Sequence, residues 1–182
     1  LLAGATHAVV LTGAGISTES GVPDFRSPGG TWERFDPMEV ASLDTFMRDP
    51  VRFWQFHRPR FDLVAQVAPN PAHEAVAELQ RRGIVKALIT QNIDGLHRRA
   101  GSDDIIEVHG SLGAGRCLRC DFRVTTEELL DRADAAADGV PRCDCGFQLK
   151  SDVVMFGEML PSEQIDAAFE HAGMADVMRR NS

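Results

Sequence analysis

Residues 7–26 read HAVVLTGAGISTESGVPDFR. The apolar, β-branched run 7–12 (HAVVLT) predicts a strand, and it passes straight into Gly13-Ala14-Gly15. A strand that ends in a glycine-rich turn is where α/β folds bind phosphates, because a missing Cβ lets backbone N–H groups approach an anion. The dinucleotide fingerprint G-x-G-x-x-G is half met, since Thr18 occupies the third glycine position. On these two glycines alone, a plain tight turn explains the pattern equally well.

Working outward, residues 84–90 and 104–108 predict two further short buried strands. Helical stretches separate them. Asn70-Pro71 reads as an N-cap with a first-turn proline, Ala72, Ala75, Val76 and Leu79 form one apolar face, and Gly83 supplies the stop. Asp49-Pro50 opens another helix in the same way, with Phe53, Trp54, Phe61 and Val64 facing a core. Strand–helix alternation implies an α/β fold, a Rossmann-like parallel sheet with helices on both faces.

Bulk properties narrow the function classes. The 182 residues suit one domain with a small insert, and 43% hydrophobic content is ordinary for a globular chain. No apolar run reaches about 18 residues and no secretory pattern opens the sequence, so neither a membrane partner nor export is expected, and the expected location is cytoplasmic. A net charge of −8 argues against direct nucleic-acid binding and suits basic, lysine-rich peptides. Lysine occurs only at 86 and 150 among 19 basic residues, a bias that salt adaptation or GC-rich codon usage explains equally. Oligomeric state is not legible.

Residues 116–146 change character. Cys117 and Cys120 form a C-x-x-C knuckle, and Cys143 and Cys145 form a C-x-C pair, with 22 residues between Cys120 and Cys143. Four thiolates satisfy tetrahedral Zn²⁺ and leave no open coordination position, so the expected metal is structural. Four buried free cysteines, or a redox pair at Cys117 and Cys120, are the alternatives. Between the pairs, Thr125-Thr126-Glu127-Glu128 reads as a capping box opening a helix. The expected organisation is a Rossmann-like domain made of 1–115 and 147–182, interrupted by a zinc-binding insert at 116–146.

The continuation S-x-x-S-G-V-P-D-F-R after the glycines resembles the sirtuin family, the NAD-consuming protein lysine deacylases. Further blocks agree and come in the family order: Thr90-Gln91-Asn92-Ile93-Asp94-Gly95-Leu96-His97, then His109-Gly110, then the cysteines, then Val153-Val154-Met155-Phe156-Gly157-Glu158. The resemblance covers about residues 5–175. The second cysteine pair departs from the family's more frequent C-x-x-C.

The resemblance implies an NAD-dependent removal of acetyl groups from protein lysines, giving nicotinamide and O-acetyl-ADP-ribose. NAD is consumed as co-substrate and one structural zinc is bound. His109 is the implied catalytic base: the acyl-lysine oxygen attacks the ribose carbon, nicotinamide leaves, and His109 helps deprotonate a ribose hydroxyl. Gly13, Ala14 and Gly15 would cradle phosphate. Asp24, Phe25 and Arg26 would form a mobile cofactor loop that Trp32 completes. Gln91 would bond ribose, while Asn92, Ile93 and Asp94 would hold the nicotinamide end; Asp94 also suits a helix N-cap. His97 would stand behind this motif, and His7, His73 and His171 read as structural or solvated. Val154, Phe156 and Gly157 would pair with substrate backbone as a strand, although a buried strand explains their alternation equally. His57 and Arg60 fall where family members that remove acidic acyl groups carry Tyr and Arg, so acetyl is the favoured acyl group and succinyl the second. Mono-ADP-ribosyl transfer and a non-catalytic binding module are the competing functions. Partners are therefore acyl-lysine proteins or peptides.

Both ends carry expectations too. Leu1 reads as the inside of a preceding helix. Ala175-Asp176-Val177-Met178 resembles the start of a further family strand, but Arg179-Arg180-Asn181-Ser182 follows, and two arginines suit a buried parallel strand poorly. A C-terminally truncated chain is expected, with an exposed apolar sheet edge, an incomplete adenosine site, weak NAD binding, little activity and a tendency to aggregate.

Overall fold

The structure, a computed structural model, describes residues 4–181. Its strands are β1 Ala8–Thr12, β2 Val85–Thr90, β3 Ile105–Glu107, β4 Ala114–Cys117, β5 Arg123–Thr125, β6 Leu149–Ser151 and β7 Val177–Asn181. Its α-helices are α1 Thr31–Arg34, α2 Pro37–Val40, α3 Leu43–Arg48, α4 Pro50–Gln66, α5 Pro71–Arg81, α6 Leu96–Arg99, α7 Thr126–Ala135 and α8 Ser162–Met174.

The main sheet has the order β3-β2-β1-β7, with all pairs parallel. Thr12 pairs with Thr90, and Thr90 with Glu107, so three strands end level with one another. Alternation sends successive residues to opposite faces. Val10, Val85 and Leu88 meet Val76 and Leu79 of α5 on one face. Val9, Ala87, Ile89 and Ile106 meet Ile165, Ala167 and Ala168 of α8 on the other. Helices thus cover both faces, as the strand–helix alternation predicts, and parallel strands buried on both sides account for the apolar runs. Fully burying one such Leu or Ile is worth about 1.5–3 kcal/mol.

The helix boundaries follow local chemistry. The Asn70 side chain accepts from the amides of Ala72 and His73, and Asn70 N donates back to His73 Nδ1. Gly83 carries the left-handed φ of +69° that ends α5. Asp49 caps α4, where Phe53, Trp54 and Phe61 are buried as expected and Val64 is half-buried. Thr125 accepts from Glu128 N at the start of α7.

A second, antiparallel sheet has the order β5-β4-β6. With α7 it shares a core with α3 and α4, built on Phe46, Phe53, Trp54, Phe61, Leu129 and Leu149. Trp54 Nε1 donates to the Leu149 carbonyl at 3.1 Å.

Arg179 and Arg180 lie within the last strand: β7 runs through both to Asn181 and pairs along the whole of β1. Both arginines are exposed because β7 is an edge strand, so no charge is buried. Apolar side chains do stand open near this edge, with Met178 47%, Met174 50% and Phe169 73% exposed. Leu1 and Ser182 lie outside the described residues.

Candidate active site

The C-terminal ends of β1, β2 and β3 deliver Gly13, Gln91–Asp94 and His109 to one edge of the main sheet. Open α/β sheets place their ligands at this edge. Gly13 is buried and extended, and it begins a 3₁₀ turn over Ala14–Ser20. Its carbonyl accepts from Ile16 N and from Asn92 Nδ2, each at 3.1 Å.

A buried polar network joins the first two strand ends. Asn92 Nδ2 also donates to Ser17 Oγ at 3.1 Å, and Ser17 Oγ donates to Asp94 Oδ2 at 2.7 Å. The other Asp94 oxygen accepts from Leu96 N at 2.9 Å, so Asp94 does hold the start of α6 while also facing the cleft. His73 stands 3.4 Å from Ser17 through Nε2. Because its Nδ1 accepts from Asn70 N, the proton sits on Nε2 and points at Ser17. Burial holds the His73 pKa below its ordinary value against the pull of Asp94.

Below this layer, Thr12 Oγ1 donates to Thr90 Oγ1 at 2.8 Å and lies 3.0 Å from His97 Nε2. His97 is buried and its pKa is pushed down to about 4 by desolvation, so the ring is neutral at pH 7. These threonines and His97 orient the turn that carries Asn92, whose amide donates to Thr90 Oγ1.

His109 is half-buried. Its Nδ1 lies 3.0 Å from the Gln91 carbonyl. A carbonyl accepts only, so Nδ1 carries the proton and Nε2 keeps the lone pair. Gly110 follows with φ +68°, and a Cβ there would stand 2.1 Å from the Asp152 carbonyl. Only glycine lets the two segments approach this closely. Val154 N then donates to the His109 carbonyl at 2.9 Å.

The loop after the 3₁₀ turn is closed by its own hydrogen bonds. Asp24 accepts from Arg26 N and Ser27 N, and Ser27 holds its carboxyl below the usual range. Trp32 N donates to the Phe25 carbonyl, and the two rings stack with centroids 5.2 Å apart. Trp32 also stacks on Phe56 of α4 and meets the edge of Phe156. An aromatic chain therefore connects the loop, α4 and the segment before α8.

A cleft of about 250 Å³ brings together Ala14, Ser17, Phe25, Arg60, Asn92, Ile93, Asp94 and Leu112. Gly13 and Gln91 adjoin it through the bonds above, and Gly15 continues the same turn. Asp24, Arg26 and Trp32 belong to the loop bordering it; His109, Val154, Phe156 and Gly157 do not line it, and His109 is tied to the Asn92 turn through the Gln91 carbonyl. His57 does not line the cleft. It is buried between Phe53 and Phe56, with its Nε2 unpartnered and its pKa pushed down to about 3 by burial. Arg60 does line it, its guanidinium over the Phe56 ring and donating to the Phe56 carbonyl. Among the described residues no carboxylate pairs with Arg60, and burial lowers its pKa to about 10.

The four cysteines converge at the base of the second sheet. Their sulfurs all lie within 4.8 Å of one another, with Cys117 and Cys145 3.7 Å apart and Cys120 and Cys143 3.5 Å apart. Tetrahedral zinc with bonds of about 2.3 Å requires sulfur separations of about 3.8 Å. The donor set and spacing fit Zn²⁺, and none of the four forms a disulfide. The short C-x-C spacing is accommodated by a turn in which Gly146 N donates to the Cys143 carbonyl and Cys143 N to the Phe147 carbonyl.

The sequence assigns Ser17 no role and marks His73 as structural or solvated; both belong to the buried polar network. The signal for His73 was its position three residues after the Asn70 cap. Ser17 gave none beyond lying in the glycine-rich stretch.

Comparisons with known proteins identify the family. The Sir2 family signature matches residues 13–179. The chain belongs to the Sir2 family. It is 47% identical over 179 residues to NAD-dependent protein deacylase 2 of Pyrobaculum aerophilum, covering 98% of this chain and 70% of that protein. It is 45% identical over 179 residues to the NAD-dependent protein deacetylase of Sulfurisphaera tokodaii, with the same coverage. A solved Sir2–p53 peptide–NAD+ complex superimposes with a TM-score of 0.89 at 37% identity, covering 98% of this chain and 71% of that one.

Proposed function

We propose that this protein removes acetyl groups from lysine side chains of proteins, consuming one NAD per turnover and releasing nicotinamide and O-acetyl-ADP-ribose. The observation that carries this reading is His109: a histidine at a strand end, its Nδ1 fixed by the carbonyl of Gln91, the residue before Asn92, which with Asp94 lines the cleft, and its Nε2 left with the lone pair. Family membership supports it, as do the relatives named for NAD-dependent deacylation. NAD supplies an electrophilic ribose carbon whose nicotinamide is the leaving group.

The chain's own residues have these parts. Amides at the start of the 3₁₀ turn, at Ala14 and Gly15, meet phosphate. Asn92 and Asp94, held by Ser17, bond the nicotinamide end, and Ile93 packs beside it. Gln91 meets ribose. Phe25, supported by Trp32, excludes water from the reacting carbon, with Asp24 and Arg26 shaping the loop. His109 takes a proton from a ribose hydroxyl at Nε2. Val154, Phe156 and Gly157 present backbone to the acyl-lysine peptide. Residues 116–146 form the zinc module and hold that segment from below, and Zn²⁺ bound by Cys117, Cys120, Cys143 and Cys145 is structural because four thiolates close the shell. No helix is long and apolar enough to cross a membrane among the described residues. Four cysteines that hold a metal and form no disulfide suit a reducing, cytoplasmic setting. The test is mass analysis of an acetyl-lysine peptide after incubation with NAD.

A second reading, acidic deacylation, is favoured by one observation. Arg60 faces the cleft with no carboxylate partner among the described residues, and guanidinium recognises a carboxylate in bidentate fashion. His57 cannot assist from its buried place. Arg60→Ala should lower kcat/KM for a succinyl-lysine peptide about 10-fold more than for an acetyl-lysine peptide, a charged hydrogen bond being worth about 1.5–3 kcal/mol. Equal losses on the two peptides would reduce Arg60 to packing on Phe56.

A further inference from the structure

Lys150 is a charged side chain with a relative exposure of 0%. It sits in β6, and its Nζ donates to the carbonyls of Ser151 at 2.9 Å and Val153 at 2.8 Å. The third contact is Glu158 Oε2 at 3.1 Å. The same Glu158 oxygen accepts from Met155 N at 2.8 Å, and the other lies 3.3 Å from Arg116 Nη2. The pair therefore grips the backbone of 151–155 at three alternate residues, Ser151, Val153 and Met155, all on one side of the chain.

The opposite side of the segment meets the backbone of His109, Ala41 and Leu43. Val154 N bonds the His109 carbonyl, while Phe156 N and O bond the backbone of Ala41 and Leu43. Among the described residues, the Val154 carbonyl and both backbone groups of Gly157 have no protein partner. An extended peptide that adds itself as a strand needs free backbone groups of this kind. A buried ion pair is a weak source of stability, since apolar residues of equal volume often replace one without loss. Its use here is geometric. Arg116 extends it by bridging Glu158 to Asp152, which Arg123 also meets.

We propose that Lys150 and Glu158 are positioning residues, whose buried ion pair fixes the backbone of residues 151–157 against His109 and thereby sets the affinity for the acyl-lysine peptide. This rests on the reading of that segment as the peptide-binding one.

The test uses the zinc-loaded full chain with Lys150→Met and, separately, Glu158→Gln, which keeps an acceptor for Met155 N. Peptide KM should rise about 10-fold or more, with NAD affinity and kcat at saturating peptide within about 3-fold of the parent. Amide hydrogen exchange at Val154 and Met155 should speed up by a similar factor, while β1 and β2 remain protected. Unchanged peptide KM with unchanged exchange overturns the proposal. So does an equal fall in every parameter, or failure of both variants to fold, because either makes the pair merely structural. Should the parent chain turn over no peptide, the proposed function fails by itself, and the exchange rates of Val154 and Met155 still decide whether the pair sets this backbone.

Discussion

Replacing His109 by alanine should remove almost all acyl transfer, a loss of about 10²–10⁴-fold, while NAD binding and the melting temperature stay close to the parent. The side chain is half-buried and makes one hydrogen bond through its ring, to the Gln91 carbonyl. That carbonyl has access to solvent once the ring is gone, so little stability is lost. The bond from Val154 N goes to the backbone carbonyl of residue 109, which survives the substitution. Steady-state assays at saturating NAD, with NAD affinity measured separately by calorimetry, separate the two effects. A variant with parental turnover would remove His109 from the chemistry.

Removing zinc should have the largest effect on stability. Chelation, or Cys117→Ser, should lower the melting temperature of the whole chain and expose apolar surface, not merely slow the reaction. Cys117 is fully buried, and the four sulfurs stand close enough that without a cation their thiolates repel one another. A structural Cys₄ zinc contributes on the order of 10 kcal/mol to folding in small modules. The second sheet shares its core with α3 and α4, and α4 carries Arg60, which lines the cleft, so the disturbance should reach the site. Elemental analysis should find one zinc per chain. A metal-free protein with an unchanged melting temperature would contradict the assignment.

Much of this was legible because the signals are local. The run 7–12 predicts β1 to within one residue, since a strand buried on both faces needs consecutive apolar residues. Asn70-Pro71 marks the start of α5 because the cap uses the adjacent amides. Paired cysteines announce a metal because two close pairs are what four-fold coordination requires.

The rest depends on contacts far apart in sequence. Ser17 meets Asp94 and Asn92 across more than 70 residues, which no local pattern encodes. His57 and Arg60 are three residues apart on α4, a spacing that puts two side chains on the same helix surface. The structure divides them: the flat imidazole is drawn under Phe53, and the longer guanidinium folds over Phe56 into the cleft. A lysine in the Leu-Lys-Ser strand reads as a solvated residue by type, yet carbonyls and Glu158 take Lys150 into the interior. The two arginines of β7 are tolerated for the opposite reason, because an edge strand leaves them in water.

The most direct test of the account incubates the protein with NAD and an acetyl-lysine peptide and follows three products together by mass and chromatography. The account predicts that free nicotinamide, deacetylated peptide and O-acetyl-ADP-ribose form in equal amounts, and that none forms when peptide or NAD is omitted. Nicotinamide release without loss of the acetyl group, or ADP-ribose attached to the peptide, would contradict it.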